Sequence, residues 1–422
     1  MARNYRYISG DSHVEVDAKR WVHRVDAKYR DRAPRVERLP NGADAWVVEG
    51  SRPREVSSDL YGGKGRDVWE PFGQTYDETP GTGPGEQRVR EQDADGIDAE
   101  VLFPGQVSGP RFWRNIADDD AYKAVVRGYN DWLAEEYCAV DRDRLLGLGV
   151  MPWTNVEDVI AEMLHSRELG LRGVLLTGFP NGTARPMPED DRFWAAAIDM
   201  DMPVTVHVDM DRSSERAGKT MLDYPRPRDD IRMELVEQIA RFGPVRGSGS
   251  ITAAQMALSG LFDRFPSLRV LFAENQIGWI PFFYQAADVR YDRHVIWAER
   301  LLGFEPLSRP PSEIIREHCM WGFQYDRIGV ELRHHLGTDH LLWGSDFPHQ
   351  ESDWPDSMRI IERNFVGVPE EERYQMVAGN AIDFFHLDQG TALDPRKGRT
   401  AVVGQRVAAQ RSGGRDPSLR SA

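Results

Sequence analysis

Cysteine is almost missing: Cys138 and Cys319 are the only two in 422 residues, far apart and outside any CxxC pattern. That excludes a disulfide framework and a thiolate zinc site, and it suits a reducing compartment. Long apolar runs are lacking too. No window approaches the roughly 20 residues that a membrane-crossing helix needs. The opening MARNYRYISGDSH has no apolar core of signal-peptide length, so a cytoplasmic location is expected. Positive charge is in deficit, 53 Lys and Arg against 68 Asp and Glu, for a formal −15. This argues against a nucleic-acid partner, although a locally basic pocket for an anionic substrate stays open. GxGxxG, Walker and GxSxG patterns are absent as well, so nucleotide and serine-hydrolase readings fall away.

What is present is an ordinary globular composition, 40% hydrophobic and 29% charged. Eight short apolar runs stand out: Tyr5 to Asp11, Ala99 to Phe103, Leu145 to Met151, Gly173 to Thr177, Pro203 to Val208, Leu268 to Ala273, Cys319 to Phe323 and His340 to Gly344. Between them, stretches such as Ala121 to Ala139, Val156 to Leu169 and Gly278 to Leu302 repeat apolar residues every three or four positions, as helices do. Eight strand–helix alternations predict an α/β fold, a closed (β/α)8 TIM barrel with a parallel sheet. We expect one barrel domain over residues 1–387. A Pro-, Gly-, Arg- and Asp-rich insertion at about 17–92 would lie over the barrel mouth, and Asp211 to Asp230 is a second candidate lid. Residues 388–422 read as a disordered tail, with an oligomer arm as the alternative.

Three segments carry chemistry. Asp11-Ser-His13 ends the first run, and residues two apart on a strand point the same way, so one oxygen and one nitrogen can face a cation together. A strand-end Asp beside a surface His would explain the same letters. His207, in Thr205-Val-His207-Val-Asp209, closes the fifth run on the side where barrels carry their chemistry; a hydrogen-bonded core His is the plain alternative. Trp343-Gly-Ser-Asp346-Phe-Pro-His349-Gln-Glu351 leaves the last run with an acidic residue that packing does not explain. Jointly, placement after strands one, five and eight would bring all three to one opening.

Together with Glu274-Asn-Gln-Ile-Gly-Trp-Ile-Pro281 and Gly379-Asn-Ala381, these segments resemble the amidohydrolase superfamily. The resemblance is to the branch that includes aminocarboxymuconate-semialdehyde decarboxylase and the resorcylate-type decarboxylases. It implies that Asp11, His13, His207 and Asp346 hold one divalent metal ion, with Zn²⁺ the first choice and Mn²⁺ or Fe²⁺ also accepted. Asp346 would double as the acid/base residue. Two departures matter. Asp11 replaces the usual first His, and Glu274, Asn275 and Gln276 occupy the region where the branch often has a catalytic His, which makes Glu274 or His349 candidate substitutes. Leu175-Leu-Thr177 offers no Lys to bridge two metals, so one ion is expected; Glu274, His349 or Glu351 would serve a second. Trp279 reads as helix packing that could wall a pocket. The implied activity is non-oxidative decarboxylation of an aromatic or unsaturated carboxylic acid. Metal-dependent hydrolysis of an ester, thioester, lactone or amide is the alternative, and a non-catalytic ligand-binding barrel the third reading. A small carboxylate-bearing substrate, no nucleic acid, no membrane and a homodimer complete the expectation.

Overall fold

The computed structural model describes residues 3–56, 60–61, 63–65, 67–70, 72–77, 79–105, 109–210 and 249–388. Its strands are β1 (Ile8–Val14), β2 (Arg35–Arg38), β3 (Asp44–Val47), β4 (Arg54–Glu55), β5 (Ala99–Pro104), β6 (Leu145–Val150), β7 (Gly173–Leu176), β8 (Val204–His207), β9 (Val270–Ala273), β10 (Cys319–Phe323) and β11 (Leu341–Trp343). One eight-stranded sheet runs β1-β5-β6-β7-β8-β9-β10-β11, every pair parallel. The eight apolar runs are its eight strands, with helices between them.

Alternation along each strand builds two layers. In β9, Leu271 and Ala273 join the inner cluster with Ile8, Val101, Leu148 and Leu342. Val270 and Phe272 face the helix layer with Phe193, Trp194, Phe283 and Ile315. The ring is drawn together where β11 exits against β1. Asp346 N–H donates to the Asp11 carbonyl at 2.9 Å. A Cβ on Gly344 would lie 2.6 Å from the Asp11 Cβ, so only glycine lets the two backbones approach this closely.

The first strand extends three residues beyond the expected Asp11 end. A register shift between Ser9 and Ser12 bulges β1, and pairing then resumes through Val14. The described residues of the insertion hold secondary structure of their own. β2, β3 and β4 form an antiparallel sheet, and Trp46 is buried in a cluster with Trp21, Trp113 and Tyr129. Helix Gly85–Asp95 leads from this region back to β5. The insertion does reach the mouth, where Tyr61 N–H donates to the Pro348 carbonyl at 3.1 Å. The candidate lid at Asp211 to Asp230 and the tail beyond Asp388 lie outside the described residues. Among the described residues no helix is long and apolar enough to cross a membrane.

Candidate metal centre

Asp11 and His13 keep the two-residue alternation of β1 despite the bulge. His13 Nε2 lies 3.6 Å from Asp11 Oδ1, and both side chains are about 1% exposed. The Pro104 carbonyl accepts from His13 Nδ1 at 2.9 Å, which fixes the proton there and leaves Nε2 with a bare lone pair. From the end of β8, His207 Nε2 comes to 3.1 Å from His13 Nε2 and 3.6 Å from Asp11 Oδ1. Asp346, three residues past β11, places Oδ1 3.2 Å from His13 Nε2. Glu274, directly after β9, places Oε2 3.2 Å from His207 Nε2. Ligand-type atoms of Asp11, His13, His207 and Glu274 therefore lie within 4.8 Å of one another, while Asp346 falls in a second group with His13 and His349, and His13 is common to both.

These distances fit one cation. Donors held at about 2.0–2.2 Å with angles of about 90–110° stand about 2.8–3.6 Å apart. Asp11 Oδ1 is a buried carboxylate oxygen with no hydrogen-bond donor, the kind of atom a cation satisfies. Its other oxygen accepts weakly from Gln324 Nε2 at 3.4 Å. His207 and Glu274 side chains are 15% and 19% exposed against 1% for Asp11, so the cluster opens on their side.

Backbone strain sits at the same place. Val208, Glu274, Gln276 and Asp346 all adopt φ between 51° and 57°, costly for any side chain but glycine and most of all for branched Val208. Asn275 secures two of these turns. Its Nδ2 donates to the Val208 and Ala273 carbonyls, and its Oδ1 accepts from Gly249 N–H. The residue standing near the missing catalytic His is thus a backbone staple.

His349 occupies a different role from a ligand. His13, Asp346 and His349 also lie within 4.8 Å of one another. However, His349 Nδ1 faces Asp346 Oδ1 at 3.1 Å and Nε2 faces Glu15 Oε1 at 3.0 Å, so both nitrogens donate and neither offers a lone pair. Burial disfavours the charged ring, but Asp346 and Glu15 outweigh it and hold the imidazolium well above the usual histidine range. At Asp346 burial acts upward, and the His349 imidazolium more than offsets it, keeping the carboxyl well below the usual carboxylate range. At Glu274 burial, reinforced by the Asp346 charge, wins over His207 and pushes the carboxyl up to about 8.

Glu15 was not singled out from the sequence, although the signal was there: it continues the spacing of Asp11 and His13 by two more residues. Two candidates stand apart. Glu351 is exposed, lines a small cavity with Gln324, Ser345 and Asp353, and belongs to neither group of clustered ligand atoms. Trp279 is half-buried, packs on Trp321 and Phe283 at the edge of the core, and donates its indole N–H to the Asn275 carbonyl. His334 and His335 are exposed and away from the centre.

The sequence model of the amidohydrolase family matches residues 15–387. The chain is 24% identical over 323 residues to a gamma-resorcylate decarboxylase of Polaromonas sp. strain JS666, covering 72% of this chain and 88% of that one. A gamma-resorcylate decarboxylase of Rhodococcus jostii is 25% identical over 293 residues, 63% of this chain and 77% of the relative. Among solved structures, a dihydroxybenzoic acid decarboxylase of Polaromonas sp. JS666, with bound manganese and the inhibitor 2-nitroresorcinol, superposes with a TM-score of 0.56 at 20% identity, over 93% of this chain and 99% of that one. The match over 15–387 spans most of the sequence and the whole parallel barrel after β1, and it makes the protein a member of the amidohydrolase family.

Proposed function

We propose that the protein is a metal-dependent, non-oxidative decarboxylase of a small aromatic or unsaturated carboxylic acid. The observation that carries the metal reading is the convergence of Asp11, His13, His207 and Glu274 on an Asp11 oxygen with no donor of its own, with Asp346 reaching the same His13 nitrogen. The relatives' decarboxylase names support the choice of reaction. Asp11, His13, His207 and Asp346 hold the ion, and Glu274 adds a fifth donor. Three carboxylates to two imidazoles favour Mn²⁺ over the Zn²⁺ expected for the smaller set, and manganese is what the similar dihydroxybenzoic acid decarboxylase holds. A divalent ion here supplies positive charge and Lewis acidity next to a bound carboxylate.

The protein's own groups move the proton. Glu15, His349 and Asp346 form a hydrogen-bonded line with the proton resting on His349. Asp346 receives it and delivers it to the substrate carbon that bears the carboxylate. The carbon–carbon bond then breaks, its electron pair restores the unsaturated system, and carbon dioxide leaves. Charge is conserved, since one proton enters as one carboxylate departs.

Hydrolysis is kept as a second reading for one reason: Glu274 stands where the resemblance leads to a catalytic His. Two measurements test the proposal. Purified protein should hold a stoichiometric divalent transition metal, and added Mn²⁺ should raise the melting temperature of stripped protein. Hydroxybenzoates should release carbon dioxide while ester, thioester and lactone panels stay inert. Turnover of the second panel alone would establish the hydrolase, and absence of any metal binding would remove both.

A further inference from the structure

Behind the cluster lies a charged pair that touches no reacting group. Arg88, on helix Gly85–Asp95, and Glu100, on β5, have side chains only 1% and 3% exposed. Arg88 Nε donates to Glu100 Oε2 at 2.6 Å and Nη2 to Oε1 at 3.2 Å. The outer nitrogens also reach backbone: Nη1 donates to the His13 carbonyl at 3.0 Å and Nη2 to the Phe347 carbonyl at 3.1 Å. The guanidinium lies 4.5 Å over the Phe347 ring. Glu100 is occupied as well, accepting from Ser12 Oγ at 3.0 Å and Gln92 Nε2 at 2.8 Å. Ser12 in turn meets Ser345 and Ser9.

The two carbonyls are not arbitrary. One belongs to His13, and the other to the residue immediately after Asp346. His13 N–H also donates to the same Phe347 carbonyl, at 2.8 Å, so that oxygen is shared between β1 and the arginine. One rigid, planar fork thus spans both ligand-bearing segments, which come from opposite ends of the sequence. Buried ion pairs contribute little net stability, because desolvation offsets their attraction. A pair whose further donor bonds go to the backbone of ligand-bearing segments is better explained by what it positions. Lysine, with a single ammonium, cannot make the same planar set of contacts.

We propose that Arg88, held by Glu100, is a positioning residue that sets the spacing of His13 and Asp346 and thereby the affinity and coordination geometry of the metal centre. The inference rests on the metal reading above. It assigns Arg88 no contact with substrate.

The test uses the full chain stripped of metal and titrated with Mn²⁺ or Co²⁺ alone. Arg88→Met should weaken Mn²⁺ binding about 10- to 100-fold, as loss of groups that orient ligands does. It should also alter the visible absorption spectrum of the Co²⁺-loaded protein, and Arg88→Lys should recover part of both. Unchanged affinity and an unchanged Co²⁺ spectrum, with only a lower melting temperature, would show a purely structural pair and overturn the proposal. Where Arg88→Met yields no folded protein, Arg88→Lys decides alone: a wild-type spectrum and affinity overturn it, and a shift in both supports it. Failure of the unaltered chain to bind either ion would instead overturn the metal centre itself, and the inference with it.

Discussion

His13 and His318 are buried histidines at opposite ends of barrel strands, and locally they look alike. Each presents Nδ1 to a backbone carbonyl, Pro104 at 2.9 Å and Leu268 at 2.7 Å. Each stacks on a ring, His349 at 3.8 Å and Phe262 at 4.5 Å. The difference lies in what surrounds them. His13, near the carboxyl end of β1, turns Nε2 toward Asp11, Asp346 and His207, whereas His318 precedes the amino end of β10 and belongs to no cluster of ligand-type residues among those described. Burial lowers the His318 pKa, against the raising pull of its hydrogen bond and of Glu317. One end of the barrel collects polar groups and strained backbone; around His318 the same residue type serves as packing. What a buried histidine faces depends on the strand end it occupies, and at the carboxyl ends neighbouring strands deliver carboxylates to it.

The largest effects should come from the mouth. His207→Ala should strip the metal, measured by elemental analysis, and abolish turnover. Asp346→Asn should lower the turnover rate on the order of 10²- to 10⁴-fold, the usual contribution of a positioned proton-transfer group. Full activity in that variant would break the comparison at its strongest point. A smaller effect is expected one contact further out. Glu15→Gln removes the negative partner of His349 Nε2, so the imidazolium loses support and its pKa falls. The acid form then persists over a narrower range, and the alkaline limb of the pH–rate profile should move to lower pH. An unmoved limb would detach Glu15 and His349 from the proton path.

His318 should give the smallest effect and the sharpest contrast. Its folded-state pKa lies below the ordinary 6.5, so the unfolded chain binds the extra proton first as pH falls. The stability it contributes is present above about pH 6.5 and is lost on acidification below it. His318→Asn keeps a donor for the Leu268 carbonyl without a titrating ring. It should cost about 1 kcal/mol in lost stacking, leave metal content unchanged, and flatten the fall in melting temperature between pH 7 and 5. Loss of metal in this variant would contradict the division between the two ends.

The barrel was legible because its signals are local. Runs such as Val270 to Ala273 and Cys319 to Phe323 are short, apolar and buried on both faces, and they carry their pattern within four or five residues. The end of β1 was harder, since Ser12 and His13 look like a polar exit although pairing continues to Val14. β2, β3 and β4 were hidden by composition, because strands of two to four residues among Arg, Asp and Gly hold too little alternation to register. Trp279, read as helix packing that could wall a pocket, and Glu351, read as a donor to a second ion, belong to neither group of clustered ligand atoms, since an acidic residue's proximity to Asp346 in sequence does not fix where its side chain points.

Sequence by itself determined the eight strands and the residue types at their carboxyl ends, because hydrophobic alternation and strand-end position are properties of a few consecutive residues. Only the tertiary structure decided that Glu274 joins the cluster, that His349 is held between two carboxylates, and that Arg88 clasps residues 75 and 259 positions away. Those contacts exist because the ring brings β1, β8, β9 and β11 to one opening, and no spacing along the chain encodes a distance across it.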